Sequence, residues 1–552
     1  FEGPVLKVAR TKDNDIKLDI QDEIKDAAAS PPEEDVRQDT DFALDLLKRL
    51  VNDQTGGPFE RLRSLKIEKA KIIVEDRFLG VSWVIPEVYF TFAKATEGLE
   101  ATGILRMPGL TKKMTTITAD SHISPDFSDI QIKADITNAD LVHLSGKIYP
   151  NDVIKRQNVV FDGEIAIDLG EDLSFKKARV AARSKDGELV LPDIYDAPLV
   201  YKDLNIRSSY SHEDENLEIE RVSATVRDMD IELSADFKVE RDSVSGPVSL
   251  KIPKAKISEV RNILPDRQRD KGVEEWLFRK IQKAEVKNVS AEVDIDLTKH
   301  AQANVKEEGA QDKQLWRIQL IEPKAEFDFD NLDLDYAYGL MPLTEGKGVF
   351  SLVGEEIGVN LEKGNLGTLD ISNGRVNVTN VFTENSGALD LDADVKGPLK
   401  GVISYLEVDK IDRKINYEFQ PDKVSGEADF KLRVDFPTRE DVPFESIVYQ
   451  IDGEVNKAFW PDAFNEFDLA GGPFSIKVSP KDIEVIGQGD LGHIPADIDW
   501  HEYFDAEQNK APYESRIEAD IITDDTFREK MGIDLGRYVK GPLPVTISYL
   551  SE

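Results

Sequence analysis

In Ala388-Leu-Asp-Leu-Asp-Ala-Asp-Val-Lys396, apolar and polar residues alternate without a break. A β-strand points successive side chains to opposite faces, which puts Leu389, Leu391, Ala393 and Val395 on one side and Asp390, Asp392, Asp394 and Lys396 on the other. The same alternation recurs in Phe161–Leu169, Ile231–Val239, Ala291–Leu297, Ala428–Phe436 and Arg516–Ile521. A chain patterned this way folds into strands that each hide one face and wet the other. Turn signals at short intervals, among them Ser372-Asn373-Gly374 and Ser386-Gly387, predict antiparallel hairpins and meanders. The expected fold class is mainly β, antiparallel, with a few short helices.

Three aspartates at every second position also resemble the start of a calcium loop. An EF-hand loop needs Gly at its sixth position and a bidentate Glu at its twelfth. Counted from Asp390, those places hold Val395 and Gly401. The aspartates therefore read as the solvated face of a strand that ends at Gly397-Pro398, and the question moves to what the apolar face covers.

Helical spacing is rare. It is found in Asp41–Val51, where Phe42, Leu46, Leu47 and Leu50 share a face, and in Val273–Ile281 with Trp276, Leu277 and Ile281. A third short helix is predicted near Thr526–Met531, stopped by Gly532. The segment 22–41, with Pro31-Pro32 and dense acids, reads as a loop or loosely ordered insertion, and 302–313 reads as a polar excursion between strands. The alternating texture continues on both sides of each. We therefore divide the chain into an N-terminal strand, acidic loop and helix (1–60), a first β-region (61–300) and a second, continuous with it (301–552).

Charge narrows the partners. With 107 acidic against 70 basic residues the net charge is −37, which repels nucleic-acid phosphates, and no basic cluster with interleaved aromatics offsets it. At 40% hydrophobic residues the chain is nonetheless too apolar for a disordered acidic tail. No cysteine is present, so thiolate chemistry, disulfides and cysteine-ligated metals are excluded. No apolar run reaches the roughly 18 residues of a membrane span; the best, Val81–Ala93, is interrupted by Pro86 and Glu87. The chain begins at Phe1 and not at Met, which raises the expectation of a signal peptide or anchor upstream.

Short motifs that could carry catalysis fail on their context. Gly487-Gln-Gly-Asp-Leu-Gly492 matches G-x-G-x-x-G, but a dinucleotide site needs a helix to follow, and Pro495 opposes one; a turn between strands is expected. Gly339 to Gly346-Lys347 has the wrong spacing for a P-loop and reads as a loop. The six histidines, His122, His143, His212, His300, His493 and His501, lack zinc spacing and read as surface or turn residues. No G-x-S-x-G elbow is present, and acidic pairs are too numerous to single out a glycosidase couple. The expectation is a protein that is not an enzyme and has no cofactor or metal.

Three stretches resemble the AsmA-like superfamily of bacterial envelope proteins, specifically its YhdP branch. The first is Phe59–Asp76 followed by Gly80-Val-Ser-Trp-Val-Ile-Pro-Glu-Val88, similar to that branch's short strand, Asp, then Trp and Pro. In the second, Ala325–Leu343 carries a Tyr and Leu-Met-Pro-Leu, and the stretch runs through Glu345-Gly-Lys-Gly348 to Val395-Lys-Gly-Pro-Leu399. The third runs from Gly426-Glu-Ala-Asp-Phe430 through Gly487-Gln-Gly489 to Asp499-Trp500. With the region near Ile252–Pro265 and Trp276, the resemblance extends over most of 42–550.

The resemblance implies an elongated, curled antiparallel β-sheet whose concave face forms an apolar groove that carries phospholipid acyl chains through the periplasm between inner and outer membranes. It also implies membranes or their proteins as partners at the groove ends, and an inner-membrane anchor in an N-terminal helix that this chain lacks. From alternation, the groove wall is placed at Leu233, Phe237, Val293, Ile295, Phe327, Phe329, Leu389, Leu391, Val395, Phe430, Leu432 and Val434. Trp83, Trp276, Trp316, Trp460 and Trp500 are expected at strand ends or helix contacts. Alternation by itself equally fits tandem β-sandwiches serving as a scaffold or adhesin; an enzyme that processes envelope polysaccharide has no catalytic constellation behind it. Small-angle scattering and circular dichroism test the fold expectation: an extended particle with a strand-dominated spectrum is expected, and a compact globule or a helical spectrum would refute it.

Overall fold

A computed structural model describes residues 3–10, 16–21, 62–76, 81–108, 113–126, 128–140, 142, 156–170, 174–191, 195–240, 243–263, 278–300, 315–336, 340–383, 386–406, 421–438, 446–464, 467–504, 510–533, 535 and 537–551. The chain forms two compact units, Phe1–Pro253 with Asn262–Arg269 and Glu292–Ile321, and Lys254–Arg261 with Asp270–Ala291 and Glu322–Glu552.

The first unit holds β1 (Val5–Arg10), β2 (Ile16–Gln21), β3 (Ser64–Asp76), β4 (Val81–Ala95), β5 (Gly98–Pro108), β6 (Met114–Ile123), β7 (Ile130–Asp140), β8 (Asn158–Leu169), β9 (Phe175–Leu189), β10 (Leu199–Ser211), β11 (Asn216–Val226), β12 (Met229–Val239) and most of β13 (Ser243–Lys256). From β3 to β13 each strand pairs antiparallel with the next. At the start β1 runs antiparallel to β2 and parallel to β3. Helix α1 (Ile257–Ile263), β14 (Ile281–His300) and β15 (Leu315–Leu334) give residues to both units.

The second unit continues with β16 (Leu343–Val353), β17 (Glu356–Leu366), β18 (Leu369–Thr379), β19 (Gly387–Pro398), helix α2 (Leu399–Leu406), β20 (Ser425–Thr438), β21 (Val448–Phe464), β22 (Phe467–Val478), β23 (Asp482–Leu491), β24 (Ile494–Tyr503), β25 (Ser515–Thr523), helix α3 (Asp525–Lys530) and β26 (Leu543–Ser551). Its ladder is antiparallel from β15 to β26. In neither unit do the described pairings close into a barrel. Every stretch that alternates in the sequence lies inside a strand, and the predicted third helix is α3, with Gly532 in the left-handed region just beyond it. The predicted helix at 41–51 and the segments 22–41 and 302–313 lie outside the described residues. So does most of 273–281, whose last residue opens β14.

Each sheet is bent by bulges with a common signature. Lys69, Asn138, Asp203, Asn331, Glu345, Asn373 and Lys457 have φ between 50° and 54°, and each falls where its strand spends one residue more than its partner. A bulge of this kind kinks the strand and raises its twist, which curls the sheet. It also shifts the apolar phase: on β15, Phe327 and Phe329 are followed on the same face by Leu332, because Phe329 opposes Gly348 and Leu332 opposes Gly346. Ser372-Asn373-Gly374, expected as a hairpin turn, is therefore a bulge inside β18, where Asn373 donates to Asp394 at 2.7 Å. Likewise Gly346-Lys347 lies within β16 and not in a loop.

Some of the most buried residues lie beside these bulges. In the first unit Ala70 and Val88 (both 0% exposed) sit with Ile72, Ile85 and Met107, while Tyr201 (1%) packs with Val159 and Val226. In the second unit α2 and α3 cover one edge of the sheet. Leu399 and Val402 of α2 pack on Phe430, Val455 and Phe474, and Phe527 of α3 stacks on Phe467 with ring centres 4.3 Å apart. Asp524 caps α3 by accepting from the Phe527 amide at 2.7 Å.

Strand glycines have a steric role here. Phe90 faces Gly103, Tyr201 faces Gly187, Phe329 faces Gly348, Phe430 faces Gly453 and Phe474 faces Gly487, each a direct cross-strand pair. A Cβ on any of these glycines would come within 2.8 Å of its partner's ring or hydroxyl, so the aromatic lies flat over the glycine. Gly487 and Gly489 are thus inside β23, covered by Phe474, and not in the turn their motif suggested; only Gly492, φ 70°, turns. At Gly453 an added Cβ would also lie 2.1 Å from the Asp429 carbonyl oxygen. Gly453→Val is expected to destabilise by roughly 1–3 kcal/mol through overpacking, measured as a lower denaturation midpoint; an unchanged midpoint would refute the flat-ring account.

Candidate functional site: the apolar face of the sheet

The ladder registers convert the alternation of single strands into continuous rows. In the second unit one row runs from Phe327 through Phe350, Val359, Val376, Leu391 and Val434 to Tyr449, each residue opposite the next on a neighbouring strand. It crosses seven strands, about 29 Å at ladder spacing. A neighbouring row runs from Ala325 through Leu352, Ile357, Val378 and Leu389 to Phe436. Phe327 and Phe350 stack with ring centres 4.7 Å apart and planes at 16°. Nearer the helix-covered edge, Ile371, Val395, Phe430, Gly453, Ile476, Val485, Trp500, Ile517 and Tyr549 continue across β18 to β26.

Eight of the predicted wall residues come together here. Between β19 and β20 the register pairs Leu391 with Val434, Ala393 with Leu432 and Val395 with Phe430, while Leu389 meets Phe436. Phe327 joins them through the first row, and Phe329 lies over Gly348. Leu233 and Phe237 stand on β12 in the first unit, opposite Val222 and Leu217. Val293 and Ile295 lie on β14, half-buried.

Burial separates these residues into two groups. Phe430 is 7% exposed beneath α2, and Phe329 is 5% exposed over its glycine. Leu389, Leu391, Val395, Leu432, Val434 and Phe327 are only half-buried. A sandwich core would exclude water from all of them. Sequence reasoning missed Phe350, Val376 and Trp500. Trp500 lies in the body of β24 between Val485 and Ile517, where a strand end or helix contact had been expected. Trp460 lies toward the end of β21, and the side chains of Trp83, Trp276 and Trp316 are outside the described residues.

The protein-family model described as YhdP protein matches residues 97–455, well over half of the chain, and takes in all twelve predicted wall residues. The chain belongs to the YhdP family. Membership places it in the AsmA-like group of envelope proteins. No curated protein and no solved structure matches the chain significantly. Among the described residues no helix is long and apolar enough to cross a membrane.

In this YhdP-family chain the opposite face of the same strands is a lattice of polar pairs. Asp392 accepts from Arg433 at 3.0 Å, Asp394 from Asn373 at 2.7 Å, and Lys396 pairs with Asp429 at 2.9 Å. Each of the three alternating aspartates has its own neighbour, and among the described residues no three His, Asp or Glu side chains converge as a metal site would require. His501 bridges Tyr513 at 3.0 Å and Asp482 at 3.2 Å in the same way.

Asp390 faces Asp435 directly across β19 and β20. A hydrogen bond shared with Asp390, then partial burial, then repulsion from the same carboxylate hold the Asp435 carboxyl above its ordinary range, against the pull of Arg433. A carboxyl raised in the folded state contributes stability below its unfolded pKa and loses it as pH rises through the folded value. Asp435→Asn should therefore be more stable than the parent at neutral pH, with the advantage shrinking as pH falls through the carboxylate range. Denaturation at several pH values checks this; a constant or inverted difference would refute the pairing.

Proposed function

We propose that this protein is a lipid-transfer conduit that carries phospholipids through the periplasm between inner and outer membranes, with acyl chains against the apolar face and headgroups in water. The observation that supports it is the half-burial of Leu389, Leu391, Leu432 and Val434 in rows that run unbroken across the strands. A contiguous apolar strip of this kind is unusual on a protein surface without a ligand or partner to cover it. Each methylene taken from water onto such a face gains up to about 0.8 kcal/mol, and an acyl chain asks for no directed hydrogen bond in return. Family membership supports the envelope setting, and the acidic opposite face resists adhesion to anionic bilayers along the length of the sheet. The reading has no catalytic step and no cofactor.

The ladder from Gly387 opposite Thr438 to Pro398 opposite Glu427 has no register slip, so a one-residue step there moves a side chain to the other face. A photo-crosslinking residue at Leu391 or Leu432 should capture phospholipid in envelope preparations, and one at Asp392 or Arg433 should not. Leu391→Asp should remain folded by circular dichroism yet lose its lipid, because an acyl chain would have to pass a desolvated charge. Equal capture from both faces, or a folded Leu391→Asp with normal lipid content, would overturn the conduit. Global unfolding of Leu391→Asp would favour the sandwich scaffold instead.

A further inference from the structure

Helix α2 does more than end β19. Gly401, buried in the helix, sits so close to the start of β18 that a Cβ there would lie 2.3 Å from Thr368 Oγ1 and 3.1 Å from Leu369 Cδ2. Leu399 and Val402 rest on the cluster around Phe430, on the same face as Leu391, and Ile403 is 5% exposed. At its N-terminal end Lys400 pairs with Asp422, in the turn Pro421–Lys423 before β20. At its far end the Tyr405 hydroxyl meets the Tyr336 hydroxyl at 2.7 Å. Tyr336 follows the end of β15, four strand intervals from β19 or about 19 Å along a flat sheet. An eight-residue helix is only about 12 Å long, so α2 runs over the strand ends from β19 toward β15, with the two tyrosines completing the span.

We propose that α2 is a strap along the covered edge of the apolar face, clasped by the Tyr336–Tyr405 hydroxyl pair, and that its opening widens the face for loading and unloading acyl chains; the second half of this rests on the conduit reading. Ion pairing at Lys400 is exposed and weak, so the α2 N-terminus is held mainly by packing and by its continuity with β19. Among the described residues the C-terminal end is tied by the half-buried hydroxyl contact, which desolvation of Tyr336 makes costly to leave half-made. The strap therefore hinges at Gly397-Pro398, where Gly397 has φ 155°, and opens from the tyrosine end.

Hydrogen exchange of the 399–406 amides and release of nitrobenzoxadiazole-labelled phosphatidylethanolamine, loaded from phosphatidylethanolamine–phosphatidylglycerol vesicles, test the two halves separately. Tyr405→Phe should speed both by two- to tenfold, the range expected for one lost hydrogen bond, while exchange in β25 and β26 stays unchanged. The double variant Tyr336→Phe/Tyr405→Phe should exchange more slowly than Tyr405→Phe alone, because it leaves no orphaned hydroxyl; independent packing roles would instead add. Unchanged α2 exchange, or additive effects, would overturn the clasp. Faster exchange with unchanged lipid release would overturn the strap's role while leaving the conduit intact. A protein that takes up no labelled lipid would overturn the conduit and the strap's role together, and the exchange data would still report the clasp.

Discussion

A strand with alternating side chains can hide only one face, and among the described residues no second layer lies against most of that face. The consequences follow from how the chain manages this shortage of cover. Full burial is confined to local clusters, as with Ala70, Val88 and Tyr201 in the first unit and Phe430 and Phe527 under helices in the second. Those clusters and the backbone ladders carry the stability. Between them the apolar rows stay half-buried, and the bulges turn the strands so that both regions share one continuous face. Without the one-residue insertion at Asn331, Leu332 and Leu334 would point away from Phe327 and Phe329.

The charged face holds the sheet less than its many contacts suggest. Pairs such as Asp392–Arg433 and Lys396–Asp429 are solvent-exposed on both sides, and exposed pairs of this kind are individually worth little. Their value is in what they forbid. A register slip of one residue would bring Asp392 and Asp394 onto the apolar face, so the alternating charges make the wrong pairing costly and leave the right one. Like charges do meet directly in places, Asp497 against Asp520 and Asp390 against Asp435 among them, the latter beside Arg433.

Much of this was legible in the residues. Alternation placed β8, β12, β19, β20 and β25, and it assigned Leu389, Leu391, Leu432 and Val434 to one face. The bulges were misread because Asn and Gly inside a strand look like Asn and Gly in a turn. They had a signal all the same. In Ile67-Glu-Lys-Ala70, Ile136-Thr-Asn-Ala139, Tyr201-Lys-Asp-Leu204, Phe329-Asp-Asn-Leu332, Leu343-Thr-Glu-Gly346 and Ile371-Ser-Asn-Gly374, two polar residues interrupt the alternation and the second adopts positive φ. A turn would end the apolar phase; a bulge only shifts it. Trp500 and Phe350 escaped because which residues join a row depends on cross-strand register, which no single strand encodes. Helix α2 escaped because eight residues carry too little periodicity to stand out.

The cross-strand glycines bear on how such a face could serve a mobile ligand. A phenyl ring standing up from a strand makes a knob, and knobs on neighbouring strands interdigitate into a core that resists anything sliding past. A ring laid flat over an opposing glycine fills the same area without the height. Phe90, Phe329, Phe430 and Phe474 all take that arrangement, each against its own glycine. The glycines weaken the strands that contain them, and the covering rings restore part of that loss. What results is a low, apolar floor whose relief is set by the choice of Gly at the opposing position. Under the proposed conduit function, an acyl chain lying on such a floor keeps dispersion contact and meets no upright ring, while Phe430 and Phe474, beneath α2, are reached only when that helix lifts.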